Sequence, residues 1–201
     1  MTSRRLLITS LAASALLAGC DKLGLTAPAN APKFNGVDIT GADYRYALPD
    51  TEGRMRTNDD FKGKVTVVFF GYTQCPDVCP TTMAELAQLK KGLGPQGDRL
   101  QGVFVTIDPE RDTPQTLKSY VGAFDPGFVA LRGTPEQTKE VAKAFKVFFA
   151  KSPGKTEGSY TMDHTAGSYV FDAQGRVRLF ERYGGGIEPL AADVKALLAA
   201  G

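Results

Sequence analysis

The chain reads as an α/β domain: a mixed central sheet with an antiparallel edge hairpin and helices on both faces. Three observations carry that expectation. KVTVVFF (64–70) and GVFVTI (102–107) are nearly unbroken apolar runs of strand length, as in parallel strands buried on both sides. Segments of helical period lie between and after them. Near the C-terminus, two short apolar runs flank DAQG (172–175), a hairpin signal.

The elements follow in order. After the first strand comes a loop holding Cys75 and Cys79, and then Pro80 opens a segment in which Met83, Leu86 and Leu93 recur at roughly helical spacing. The second strand leads into DPERDTP (108–114), where Asp112 or Thr113 is placed to cap the helix that Pro114 begins. Leu117, Tyr120, Val121 and Phe124 fall on one face of that helix. Residues 128–131 form a short strand. Thr134 and Gln137 have capping-box spacing with Pro135 at the first helical position, and the helix they start is expected to bury Val141, Phe145 and Phe148. Residues 149–163, with Pro153, Gly154 and Gly158, read as a loop or open hairpin. Residues 168–171 and 177–180 are the hairpin strands, GGG (184–186) is a turn, and Leu190, Val194, Leu197 and Leu198 mark a last helix. The order β-α-β-α-β-α-β-β-α gives a parallel core with an antiparallel edge.

A length of 201 residues, 42% of them hydrophobic, suits one sizeable core rather than two large domains. Lys plus Arg exceed Asp plus Glu by 24 to 22, and Arg4 and Arg5 at the front supply the whole excess. A globule without net positive charge argues against nucleic-acid binding. Three cysteines and one histidine exclude a disulfide scaffold and a multi-histidine metal cage.

Residues 6–18 are an uncharged run behind two arginines, too short for a hydrocarbon core of about 30 Å, and read as a signal peptide. Its end, LAGC (17–20), resembles the lipobox of bacterial lipoproteins, in which Cys20 becomes the acylated first residue; the alternative is an ordinary cleavage site that precedes a cysteine. By the same resemblance Asp21 favours retention at the inner membrane, with the globule lipid-anchored on the periplasmic face. Several acyl chains hold firmly where one does not. The expected organisation is a signal peptide over 1–19, a lipidated N-terminus and flexible tether over 20–35, and the globular domain over 36–201.

The chemistry gathers at FFGYTQCPDVCPTT (69–82). Cys75 and Cys79 lie just past the end of a core strand, where ligands collect in open α/β sheets. That position makes the outline thioredoxin-like. Cys79 precedes Pro80 and is expected just before the helix, where free N–H groups favour its thiolate. Two such thiols make a redox pair or a soft-metal clamp, and a structural disulfide is the plain alternative. The lone His164 precedes a closing strand whose start faces the cysteine loop in a thioredoxin-like sheet. Two Cys and one His suit copper, since thiolates favour Cu(I) and imidazole suits Cu(II); a closed zinc site would want a fourth side chain. Asp163 and Asp77 are candidates for orienting the imidazole or offsetting charge, with ordinary exposed acids as the alternative. Met83 reads as core. Met162 is the better candidate for a weak axial contact, and Tyr72 and Phe70 are candidates to shield the site.

FGYTQCPDVCPTT (70–82), DPERDTP (108–114) and DHTAGSYVFDAQG (163–175) resemble the Sco/SenC family in order and spacing, over about residues 36–200. The resemblance implies a thioredoxin fold and one copper ion, Cu(I) or Cu(II), on Cys75, Cys79 and His164. It also implies a membrane-tethered metallochaperone that helps assemble the dinuclear copper centre of cytochrome c oxidase, with that copper-site subunit or its assembly factors as partners. A monomer is expected. The competing reading is a thiol–disulfide oxidoreductase using Cys75 and Cys79 on the copper-site apoprotein. Against it, Ala166 aligns where such enzymes place a cis-proline. A peroxidase wants a threonine three residues before its cysteine, and Tyr72 and Pro76 stand there.

Overall fold

A computed structural model describes residues 33–201; the leader, Cys20 and the tether through residue 32 lie outside the described residues. In chain order the strands are β1 (Val37–Asp38), β2 (Ala47–Pro49), β3 (Met55–Thr57), β4 (Val65–Gly71), β5 (Leu100–Thr106), β6 (Val129–Leu131), β7 (Phe149–Pro153), β8 (Tyr160–His164), β9 (Gly167–Phe171) and β10 (Val177–Arg182). The helices are α1 (Val78–Gly92), α2 (Pro114–Gly122), α3 (Pro135–Ala144) and α4 (Ile187–Ala200).

Six strands form the central sheet in the order β1-β10-β9-β4-β5-β6. β4, β5 and β6 run parallel, while β9 is antiparallel to β4, β10 to β9 and β1 to β10. Every residue of β4 and β5 is buried, as their unbroken apolar runs require. Neighbouring strand residues point to opposite faces. Phe69 faces Phe104, which meets Tyr120 of α2 at a centroid distance of 5.3 Å. On that same face the backbone of Gly102 lies against Leu86 of α1. Phe70 points the other way, to Phe145 beyond the end of α3 (5.1 Å) and Tyr169 of β9 (6.1 Å). Helices therefore cover both faces. Phe145 is completely buried and also meets Tyr44, Tyr46 and Phe171, so it anchors the second layer. Burial of such a ring stabilises by about 1.5–3 kcal/mol.

The local signals hold where they are local. The Thr113 side chain accepts from the Thr116 N–H, and Thr134 with Gln137 completes its capping box. Asp112 does not cap α2 but is buried beneath it. Two expectations change. α1 starts at Val78 with Asp77 as N-cap, so Cys79 lies inside the first turn rather than before it. α3 ends at Ala144, and Lys146 then takes a φ of 57°, which reverses the chain and swings Phe148 off the core face to 65% exposure. Of the two forms expected for residues 149–163 the hairpin is the one found, closed rather than open: β7 and β8 pair in regular register from Phe149↔His164 to Pro153↔Tyr160. The β2–β3 hairpin went unforeseen, although PDTEG (49–53) is a turn signal. Asp50 accepts from the Glu52 and Arg54 N–H groups there, and Gly53 takes a φ of 80°.

Candidate metal centre

β4 delivers the chain to the site, and its last residue, Gly71, has to be small. A Cβ there would stand 2.8 Å from the Cys79 sulfur. The loop then carries Cys75 and enters α1, whose first turn carries Cys79. Thr73 fixes the loop from below: its hydroxyl donates to Asp112 at 2.6 Å, and Thr106 at the end of β5 donates to the same carboxylate at 2.6 Å. Asp112 is buried, and burial raises its pKa against the hydrogen bonds that lower it.

His164 arrives from the far end of β8. Its Nε2 lies 3.8 Å from the Cys79 sulfur, and the donor atoms of Cys75, Cys79 and His164 all lie within 4.8 Å of one another. Its Nδ1 is 2.9 Å from the Thr165 carbonyl oxygen. A carbonyl only accepts, so Nδ1 carries the proton and the Nε2 lone pair faces the sulfurs. The rings of Phe69 and Tyr72 stand edge-on to the imidazole, each with centroids 6.1 Å away.

The electrostatics differ from the expectation for Cys79. Cys75 is the acidic thiol, with its pKa lowered to about 4. The chief cause is a hydrogen bond from the Cys79 S–H, aided by the N–H groups of Cys79 and Asp77, against the effect of burial. Cys79 is pushed up by the same bond, by burial and by the Cys75 charge. The physical reason is placement. Cys75 sits in front of the helix, where the Cys79 N–H reaches its sulfur at 3.4 Å, while Cys79 is fully buried within the first turn. The pair thus holds one shared proton, which a metal ion would displace.

The three expected donors come together; several expected neighbours do not. Asp163 is exposed and accepts from Ser152 across the hairpin, so the Thr165 carbonyl orients the imidazole instead. Asp77 is exposed and offers Cys75 its backbone N–H. Met83 is core. Met162 is buried on the inward face of β8. Phe70 belongs to the opposite face, and Phe69 takes the shielding role beside Tyr72. Gly71 and Asp112 were missed as supports. Their signal was a glycine ending a buried strand and an acid between two capped loops.

Fold and site together define a thioredoxin-like domain that presents two thiols and one imidazole to a single point. The SCO1/SenC family model matches residues 38–199, and the chain belongs to that family. An SCO2-like protein of Rickettsia conorii is 38% identical over 137 residues, a stretch covering 68% of this chain and 66% of that protein. The mitochondrial SCO2 homolog of Bos taurus is 34% identical over 132 residues, covering 65% of this chain and 50% of the relative. The matched region is therefore less than two thirds of these relatives' own length. Among solved structures, Bradyrhizobium japonicum ScoI with copper bound shares 41% identity at a TM-score of 0.69, covering 80% of this chain and 99% of that one. Yeast Sco1 with copper bound shares 27% identity at a TM-score of 0.69, covering 85% and 91%.

Proposed function

We propose that this protein is a membrane-tethered copper carrier that holds one ion on Cys75, Cys79 and His164 and helps assemble the dinuclear copper centre of cytochrome c oxidase. The observation that carries the reading is the convergence of two thiols and one imidazole within 4.8 Å. The copper-bound relatives support the choice of metal, and the donor set agrees: two thiolates suit Cu(I), and the imidazole suits Cu(II). Copper is cargo here. Binding displaces the proton shared by Cys75 and Cys79, and the Thr165 carbonyl keeps Nε2 free to bind. Oxidation of the pair to a disulfide by a thiol oxidant removes both thiolates and releases the ion. Delivery goes to the copper-site subunit or its assembly factors, by exchange with that partner's own ligands.

The anchor is Cys20, which places the domain on the periplasmic face of the inner membrane. Among the described residues no helix is long and apolar enough to cross a membrane. Cys20→Ala moves the protein from the membrane to the soluble fraction; an unchanged membrane fraction removes the anchor.

One observation favours a second reading, thiol–disulfide exchange on the partner's cysteines. Cys75 is the more exposed and more acidic thiol, and Cys79 is placed behind it to resolve a mixed disulfide. Against it, the His164 imidazole stands beside the Cys79 sulfur, and Ala166 occupies the place where such an oxidoreductase carries a proline. The deciding experiment is a Cu(II) titration of the reduced chain. A strong near-visible sulfur-to-copper band is expected and is lost in His164→Ala. No band refutes the carrier reading, and a band indifferent to His164 removes that residue from the site.

A further inference from the structure

Behind the metal centre, three segments meet at one side chain. The β7–β8 hairpin carries His164, yet it is a two-stranded sheet of its own, bonded to no strand of the central sheet. Alternation along β8 turns Tyr160, Met162 and His164 inward and leaves Thr161 and Asp163 exposed. The stance of His164 over the sulfurs therefore depends on how this inward row is docked.

Arg111, in the loop after β5, makes the docking. Its Nη1 donates to the Tyr160 carbonyl oxygen at 2.8 Å and to Gln74 Oε1, next to Cys75, at 3.0 Å. Its Nε pairs with Asp108 Oδ2. Its guanidinium stacks on the Tyr160 ring, 3.6 Å from the centroid, and lies 5.7 Å from that of Tyr72. The Tyr160 hydroxyl donates to the other Asp108 oxygen at 2.9 Å. Asp108 is buried, and Arg111 and the Tyr160 hydroxyl each occupy one of its oxygens. One planar cation thus joins the hairpin, the loop after β5 and the cysteine loop, a geometry that a lysine's point charge does not reproduce.

We propose that Arg111 is the positioning residue of the metal centre: it clamps the β7–β8 hairpin to the cysteine loop and so sets the reach of His164 to the two sulfurs. The inference rests on the copper reading above. Without the clamp, the undocked hairpin opens its ladder more often although its link through Thr165 to β9 remains, so the imidazole loses its fixed stance and a two-sulfur site is left. Cu(I) tolerates that site better than Cu(II).

The test compares wild type, Arg111→Ala, Arg111→Lys, His164→Ala and the Arg111→Ala/His164→Ala double variant as full, reduced chains. Arg111→Ala is expected to lower Cu(II) affinity about ten- to a hundredfold, as loss of an outer partner of a ligand does, and Cu(I) affinity less. Its charge-transfer band weakens toward the loss seen in His164→Ala, Arg111→Lys does not restore it, and the double variant is no worse than His164→Ala. Wild-type Cu(II) binding in Arg111→Ala, equal losses for both oxidation states, or full additivity in the double variant overturns the clamp. A copper-free readout separates the two ideas: hydrogen exchange at the 162–165 amides must speed up in Arg111→Ala while β9 stays protected. Unchanged exchange sinks the clamp whatever copper does. A reduced wild-type chain that binds no copper sinks the copper reading instead. If Arg111→Ala does not fold, Gln74→Ala and Tyr160→Phe, which each remove one tie, must move band and exchange in the same direction.

Discussion

Replacing Gly71 by alanine tests the close approach on which the centre is built. The new methyl carbon would lie 2.8 Å from the Cys79 sulfur, 2.8 Å from a Phe69 ring carbon and 3.0 Å from one of Phe104. Ordinary contacts between such atoms are about 3.5–4.0 Å, so something must move by about 0.7–1 Å. Gly71 has no left-handed φ, and a glycine inside a strand is by itself worth about 0.5–1 kcal/mol less than alanine. Without a clash the variant would be the more stable protein. With rings on one side and the first turn of α1 on the other, overpacking costs about 1–3 kcal/mol, and the net is a loss. At about 2–4 °C per kcal/mol the melting temperature drops by several degrees. Metal sites tolerate about 0.2 Å, so affinity falls further than stability, by about tenfold or more. Urea unfolding of the reduced copper-free protein and a Cu(I) competition titration measure the two effects. A variant as stable as wild type refutes the clash. A destabilised variant with wild-type affinity refutes the claim that Gly71 sets the sulfur's position.

Three more predictions concern buried acids and the thiols. Burial and the neighbouring Asp193 carboxylate push Glu181 up to about 7 from an ordinary 4.5, while Asp193 holds the N–H groups of Asn35 and Gly36 at 2.8–3.0 Å. The folded state therefore keeps a proton that the unfolded chain gives up. Stability is full below the ordinary value and falls as pH rises through about 7. For a part-buried carboxyl that is about 1 kcal/mol between pH 5 and 8, and Glu181→Gln flattens the slope in melts across that range. A wild-type melting point that rises over those pH values contradicts the assignment. Asp112→Ala orphans the Thr73 and Thr106 hydroxyls and should destabilise by about 2–4 kcal/mol in urea; a loss below 0.5 kcal/mol would mean water replaces the carboxylate. At pH 6 iodoacetamide should label Cys75 well before Cys79, and peptide mapping that finds equal rates would refute the asymmetry of the pair.

Much of this architecture was readable residue by residue. KVTVVFF and GVFVTI announced doubly covered strands, because burial on both faces leaves no polar alternation. Thr113, Thr134 and the Asp172 turn announced helix and hairpin ends, because caps and turns are satisfied within a few residues. The two thiols declared soft-ligand or redox chemistry by their type and their place after a strand. His164, 85 positions from Cys79, entered through its place before the closing strand and through a family likeness.

The features that escaped share one property: they depend on direction rather than on composition. Phe69 and Phe70 are indistinguishable as letters, yet one ring shields the imidazole and the other packs on Phe145, because one step along a strand reverses the face. Phe148 looked like a helix-face residue until the turn at Lys146 moved it outward. Cys75 is the more acidic thiol because the Cys79 S–H and, after it, two amide N–H groups point at its sulfur. Arg111 joins three segments that lie far apart along the chain. Residue types and short-range spacing thus specify which elements form and what chemistry they carry. Assembly of those elements in space specifies which side chains meet, since hydrogen bonds and sulfur contacts act over a few ångströms that no spacing along the chain encodes.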